Sequence, residues 1–303
     1  MISKKTLHVQ PRALASSDWE DYALLDSGKG RKLERFGQYC LIRPEPKALW
    51  NPTLPARTWD AAHAHFEVTR KTGDGEWHFR SPVTSPWTLR YKALTFQVQL
   101  TSSRHLGVFP ENAVHWDWIE AQVTAVEQPV QVLNLFGYTG LATLAAVHAG
   151  AKVTHVDAAA QAVRLARANQ SLSGLAERPI RWIVDDALKF TRREERRGVK
   201  YDGIIMDPPK FGRGPKGEVW EFTRSFADLC QVCRAVLSDV PRFIVITAYT
   251  PQASVQDLQN ALSGMVQGFG GLAEVGELTT VEQSAGHTIP EARYARWAAG
   301  GGG

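Results

Sequence analysis

From about residue 130 onward, apolar and polar positions fall into two kinds of alternating block. Short apolar runs at 130–136, 152–156, 180–184, 203–206 and 243–247 have the length and β-branched content of buried strands. Between them lie segments of helical spacing or composition: small residues at 141–148, an Ala-rich stretch ending near Leu172, a charged stretch at 189–197, and amphipathic stretches at 226–237 and 255–266. Two further strand-like pieces, near 273–281 and 294–297, close the pattern. Strands alternating with helices at this spacing predict an α/β fold with a doubly wound, largely parallel sheet. In such a sheet ligands sit beyond the carboxyl ends of the strands.

The first hundred residues read differently. Residues 18–100 are dense in Trp, Pro, Thr and Gly, with short alternating stretches at 38–43 and 77–80. Turn signals at Ser27-Gly28, Gly30, 72–75 and Ser81-Pro82 separate them, which predicts a small antiparallel β unit. Residues 1–17 are polar and unpatterned, the expectation for a mobile arm, and the glycines at 300–303 predict a disordered tail. The expected organisation is therefore an arm (1–17), a β-rich unit (18–100), an α/β domain (101–299) and a tail (300–303).

Composition adds to this picture in three ways. A chain of 303 residues, 44% hydrophobic and 22% charged, has apolar material for more than one core. The net charge of +4 is uneven: residues 1–100 hold 15 Lys and Arg against 10 Asp and Glu, and the remainder holds 20 against 21. A basic segment on a near-neutral domain points to a polyanionic partner, with a solvated surface as the alternative. Lys29, Arg31, Lys32 and Arg35 stand near Phe36 and Tyr39, a mixture suited to RNA or to a small core. The three cysteines, Cys40, Cys230 and Cys233, cannot make a disulfide framework, and one CxxC without a second pair is a poor zinc site. A cytoplasmic protein without metal is expected. No run approaches the ~20 apolar residues of a membrane span, and no export signal or anchor is read at the N-terminus.

The candidate chemistry lies at the strand ends. The loop Asn134-Leu-Phe136-Gly137-Tyr138-Thr139-Gly140 joins the first strand to its helix, and its glycines allow close backbone approach. It is not the GxGxxG of dinucleotide enzymes, whose pyrophosphate needs that fingerprint. Asp157, about 20 residues on, is placed to accept from ribose hydroxyls. Asp186, with Asp185 as the near alternative, is placed to accept from an adenine amino group. Asp207-Pro208-Pro209-Lys210-Phe211 follows the next strand. Two prolines fix φ and remove two N–H donors, so the turn is rigid; its carbonyls and the Asp207 carboxylate can hold a planar base beside the Phe211 ring.

Residues 134–140, Asp157, Asp186 and 207–214 together resemble the ordered motifs of class I S-adenosylmethionine-dependent methyltransferases. In detail they are similar to the bacterial branch of large-subunit ribosomal RNA methyltransferases that make 5-methylcytosine and 7-methylguanine. The resemblance covers about 100–297 and implies a Rossmann-like, seven-stranded methyltransferase sheet with S-adenosyl-L-methionine as cofactor. It also implies that His105, Phe109 and Glu111, in the segment 104–111, face the cofactor. One departure matters: the 5-methylcytosine enzymes use a cysteine after the fifth strand or near the Asp-Pro-Pro turn, and here 207–211 and 243–249 contain none. Without a thiolate the covalent route to carbon 5 of cytosine is lost, whereas a nitrogen lone pair needs no such nucleophile.

The reading favoured is methyl transfer to a ring or exocyclic nitrogen of a nucleic-acid base, in ribosomal RNA, with Gly212 to Gly217 as a basic lid over the substrate. The alternatives are a methyltransferase of a small molecule or protein, and an RNA-binding module that keeps the cofactor for stability.

Overall fold

The computed structural model describes residues 10–69 and 74–300. Residues 1–9, most of the expected arm, lie outside the described residues, as do 70–73, which hold part of the 72–75 turn signal, and 301–303 of the expected tail. The described residues form two compact units: one of 10–14, 114–278 and 291–300, the other of 15–69, 74–113 and 279–290. Segment 101–113, expected with the α/β domain, thus belongs to the β-rich unit, which also takes back a short stretch from near the C-terminus.

In chain order the elements begin with β1 (Arg12–Ala15), β2 (Tyr22–Gly28), β3 (Arg31–Phe36), β4 (Tyr39–Pro44), α1 (Ala56–Asp60), β5 (Ala64–Val68), β6 (Gly75–Phe79), β7 (Trp87–Tyr91) and β8 (Leu94–Val98). They continue with α2 (Ala113–Thr124), β9 (Gln131–Leu135), α3 (Leu141–His148), β10 (Lys152–Asp157), α4 (Ala160–Leu172), β11 (Ile180–Val184), α5 (Ala187–Arg196) and β12 (Gly203–Met206). Last come β13 (Phe211–Arg213), β14 (Val219–Glu221), α6 (Phe222–Ala235), β15 (Phe243–Ala248), α7 (Val255–Met265), β16 (Leu272–Val281) and β17 (Thr288–Ala298).

The α/β unit is built on a sheet of order β1-β16-β17-β15-β12-β9-β10-β11. Its five central and flanking strands β15, β12, β9, β10 and β11 are parallel, and β17 runs antiparallel to β15. The expected seven strands are present, and an eighth, β1, extends the sheet from within the segment read as an unpatterned arm. Every residue of β12 and β15 is buried, as strands covered on both faces require. Local chemistry starts the helices: Asp186 caps α5, accepting from Lys189 N at 2.8 Å, and Ser254 with Asp257 forms a capping box on α7. α3 packs on α4, while α5, α6 and α7 form a second group. Right-handed crossovers place helices on opposite faces where the strand order reverses, and that reversal falls between β9 and β12.

In the β-rich unit β2-β3-β4-β5-β6 form one sheet and β7-β8 a hairpin. The unit is antiparallel except for one parallel pair, β4 with β5, joined through α1. Asp26 ties in the 279–290 stretch: its carboxylate accepts from Thr53 N, Leu54 N, Trp59 Nε1 and Ser284 Oγ. The basic and aromatic mixture around 29–39 divides: Lys29 and Arg31 are exposed and Arg35 is half-buried, whereas the aromatic members are internal. Phe36 and Tyr39 are buried, and so are Lys32 and Arg43, both paired with Glu34.

Candidate active site

Residues that are far apart in the chain meet along one edge of the α/β sheet. The order β11, β10, β9, β12 sets the carboxyl ends carrying Asp185-Asp186, Asp157, the 136–140 loop and Asp207 side by side. Three strand spacings of about 4.8 Å make this edge about 14 Å long. Val184 is in register with Asp157, Asp185 N donates to Asp157 O at 3.2 Å, Met206 is in register with Leu135, and Asp207 N reaches Leu135 O at 3.4 Å. The two loops that flank the reversal of strand order therefore leave the sheet as neighbours, which is where a doubly wound sheet opens a crevice.

The glycine loop is held from below by a buried polar chain. Asn134 Nδ2 donates to Thr143 Oγ1 at 2.8 Å, and Thr143 Oγ1 lies 2.9 Å from His155 Nδ1. All three side chains are buried. Burial pushes the His155 pKa down to about 3, so its ring is neutral. A Cβ on Gly137 would overlap that ring, and one on Gly140, which caps α3 with φ of +87°, would come within 2.8 Å of Ala166 Cβ. Asn134 thus braces the loop from inside the sheet rather than opening onto its surface. Thr139 is buried, its carbonyl accepting from Asn169 Nδ2 at 3.0 Å, while Tyr138 is partly exposed.

Asp157 organises the loop from the next strand. Its Oδ2 accepts from Tyr138 N and its Oδ1 from Ala159 N, each at 2.8 Å. Burial raises its pKa from the ordinary aspartate value, with these two N–H donors acting the other way. A carboxylate has about four acceptor positions, so each oxygen can take one more donor. Asp185 pairs with Arg193 at 2.8 Å and accepts from Asp186 N at 2.9 Å, and Asp186 is the α5 cap.

The Asp207 turn is covered by structure that the chain pattern did not reveal. β13 and β14 form a two-stranded hairpin where a lid loop was expected. Trp220 Nε1 donates to Pro209 O at 2.7 Å, and the Trp220 ring lies 4.8 Å from that of Phe136. One of the two carbonyls expected to face a base is therefore engaged from within. Pro208 is buried, Pro209 and Lys210 are exposed, and the Phe211 ring is 55% exposed, with the Arg213 guanidinium over it at 6.0 Å from its centroid. Trp220 is the residue that sequence reasoning missed; nothing in its spacing distinguishes it from a core aromatic.

His105, Phe109 and Glu111 belong to the other unit. There the His105 and Phe109 rings are 4.9 Å apart and Glu111 is buried. Burial, reinforced by Arg43 and Arg104, pushes the His105 pKa down to about 3.

Comparison with known proteins gives the family. Residues 33–257 match the family described as S-adenosylmethionine-dependent methyltransferase. The crystal structure of a SAM-dependent methyltransferase from Agrobacterium tumefaciens is 44% identical, with a TM-score of 0.91 over 95% of this chain and 93% of that one. A SAM-dependent methyltransferase structure from Streptococcus mutans shares the fold, with a TM-score of 0.69 and 16% identity over 93% of this chain and 76% of that one. Ribosomal RNA large subunit methyltransferase I of Aeromonas salmonicida is 27% identical over 230 residues, 74% of this chain and 56% of that protein. The same-named protein of Klebsiella pneumoniae is 37% identical over 100 residues, 33% of this chain and 25% of that protein. The chain spans about half the length, or less, of these curated relatives. Among the described residues no helix is long and apolar enough to cross a membrane. With a glycine loop and an Asp-Pro-Pro turn meeting at the switch point of a Rossmann-like sheet, and a family match spanning 33–257, this chain belongs to the S-adenosylmethionine-dependent methyltransferases.

Proposed function

We propose that this methyltransferase acts on a nitrogen of a nucleic-acid base, with ribosomal RNA as the substrate class. The relatives named for large-subunit ribosomal RNA support the substrate. The state of the thiols carries the choice of atom. Burial pushes the Cys230 thiol up to about 12 and Cys233 well above its ordinary value, and it raises that of half-buried Cys40. All three are held protonated, and neither 207–211 nor 243–249 contains a cysteine, so the reading is built on a nucleophile that belongs to the substrate.

S-adenosylmethionine supplies an electrophilic methyl group on a sulfonium. The residues fit this group: Gly137 and Gly140 keep the loop free of side chains, the first-turn N–H groups of α3 suit its carboxylate, and the edge holds acceptors for its hydroxyl and amino groups. In this reading Asp157 accepts from the ribose hydroxyls, Asp186 or Asp185 accepts from the adenine amino group, and Phe136, Tyr138 and Thr139 line the cofactor side of the loop. Asp207 and the Pro208 carbonyl accept from the amino edge of the base, which aligns the nitrogen lone pair with the methyl group. Pro209, fixed by Trp220, keeps the turn rigid; Phe211 stacks on the base and Lys210 neutralises a nearby phosphate. The roles that the resemblance gives to His105, Phe109 and Glu111 are tested by calorimetry with S-adenosylmethionine on the Glu111→Ala variant.

The decisive experiment measures tritiated methyl incorporation into total RNA from a deletion strain. Wild type labels RNA; Asp207→Ala abolishes labelling while S-adenosylmethionine affinity stays within about tenfold, or about 1.4 kcal/mol. Labelling by Asp207→Ala at the wild-type rate removes the turn from the reaction. Trapping of a covalent adduct on 5-fluorocytosine RNA replaces nitrogen with carbon 5 of cytosine.

A further inference from the structure

In the β-rich unit the hairpin of β5 and β6 gathers two imidazoles and a carboxylate that the methyltransferase reading does not use. His65 and Glu67 are two residues apart on β5 and so share a face, and His78 on β6 stands opposite His65 in register. The two rings stack, with centroids 5.0 Å apart and planes at 21°. His78 Nε2 is 3.2 Å from Glu67 Oε2. One ligating atom from each residue lies within 4.8 Å of the other two. Donors about 2.0–2.2 Å from a tetrahedral zinc ion stand roughly 3.4 Å apart, so rotation of the exposed Glu67 and His78 side chains closes the set.

One observation separates this cluster from an incidental surface pair. His65 Nδ1 is buried and has no hydrogen-bond partner among the described residues, a cost that a built ligand site explains.

We infer that His65, Glu67 and His78 bind one divalent transition-metal ion, zinc above all, with the remaining coordination left to water. Two imidazoles and one carboxylate suit zinc, nickel or copper and disfavour magnesium or calcium, whose sites are oxygen-rich. The ion clamps β6, the last strand of the five-stranded order, onto β5.

The test uses the full chain without an affinity tag, stripped with a chelator and titrated with zinc chloride by calorimetry. One ion binds per chain, excess magnesium does not compete, and His78→Ala and Glu67→Gln each weaken binding by about tenfold or more. His148→Ala, an exposed histidine beside Glu120 in the other unit, leaves it unchanged. Cobalt(II) gives the visible bands of a four-coordinate site in wild type and not in His78→Ala. Glu67 and His78 are exposed, so both variants fold, which circular dichroism checks. Absence of binding by wild type, or binding undiminished in both folded variants, overturns the assignment.

Discussion

Gly137 and Gly140 look alike in the chain but answer different demands. Gly140 adopts φ of +87°, a conformation that favours glycine, whereas Gly137 is required because the His155 ring occupies the place of its Cβ. The other left-handed positions of the loop belong to Phe136 and Tyr138, at φ of 57° and 49°, where side chains are tolerated only under strain. Gly137→Ala is therefore expected to destabilise the protein by about 1–3 kcal/mol in urea unfolding and to weaken cofactor binding. Adding His155→Ala restores part of the loss; full additivity of the two changes counts against the contact. Asp157→Ala weakens S-adenosylmethionine binding by about 1.5–3 kcal/mol, read by calorimetry. The pH dependence has a definite sign. Burial raises the Asp157 pKa in the free protein and donors from the ligand favour the ionised form, so affinity falls as pH drops through that raised value. The fall begins at a higher pH than for an exposed aspartate and is absent in Asp157→Asn.

The β13–β14 hairpin sets the geometry of the Asp207 turn. Gly214 N donates to Glu218 O at 2.8 Å, Lys216 N to Glu218 Oε2 at 2.9 Å, and Lys189 on α5 reaches Glu218 Oε1 at 2.8 Å. The Lys189 hydrogen bond and those of the loop backbone hold the Glu218 carboxyl down at about 2. The segment read as a basic lid is thus part of a tied hairpin whose Trp220 touches both flanking loops. Trp220→Phe keeps an aromatic ring against Phe136 and removes the donor to Pro209. A stability loss of about 1 kcal/mol and a fall in kcat exceeding any change in cofactor affinity are expected. Equal losses in cofactor affinity and kcat in the same variant would place Trp220 on the cofactor side alone.

Each unit carries its own core, and the two differ in kind. The α/β unit is built around an extended apolar cluster that includes Leu133, Ile204, Phe226, Ile246 and Trp297. The β-rich unit has the smaller cluster of Leu33, Ile42, Trp59 and Ala62 and a buried ion network beside it. Glu34 accepts from Arg43 at 2.6 and 2.7 Å and from Tyr22 at 2.9 Å, with Lys32 at 3.6 Å. Burial alone would raise its pKa, but Arg43 and Lys32 hold it down at about 2. A folded pKa below the unfolded one means stability present above the ordinary glutamate range and lost as pH falls towards 2. Glu34→Gln removes the negative charge that Arg43 and Lys32 share, although Arg43 still donates to the Arg104 carbonyl and Lys32 still stands 3.8 Å from Glu45, and is expected to cost about 3 kcal/mol, with little remaining acid dependence from this site. Thermal unfolding at neutral and acid pH checks both. Lys32 and Arg43 are balanced inside the unit by Glu34 and Glu45, so the positive excess of the first hundred residues is carried by other side chains.

The order of strands and helices after residue 130 was legible in the chain, because short apolar or β-branched runs alternate there with segments of helical spacing or composition. Hence 180–184 and 203–206 coincide with β11 and β12, and Asp157 and Asp207 stand at strand ends as their position foretold. The same local logic passed over β1, whose four residues are only partly covered and acquire their pairing from β16, distant in the chain. It did not decide whether Asp186 caps the following helix, where it accepts from the Lys189 amide, and it gave no sign that Asn134 points to Thr143. Periodicity reports which face of an element is dry; it carries no information on which distant side chain will fill the space beside it. Trp220 over Pro209, His155 beneath Gly137, and His65 opposite His78 all depend on register and chain crossing, which arise when the sheets assemble.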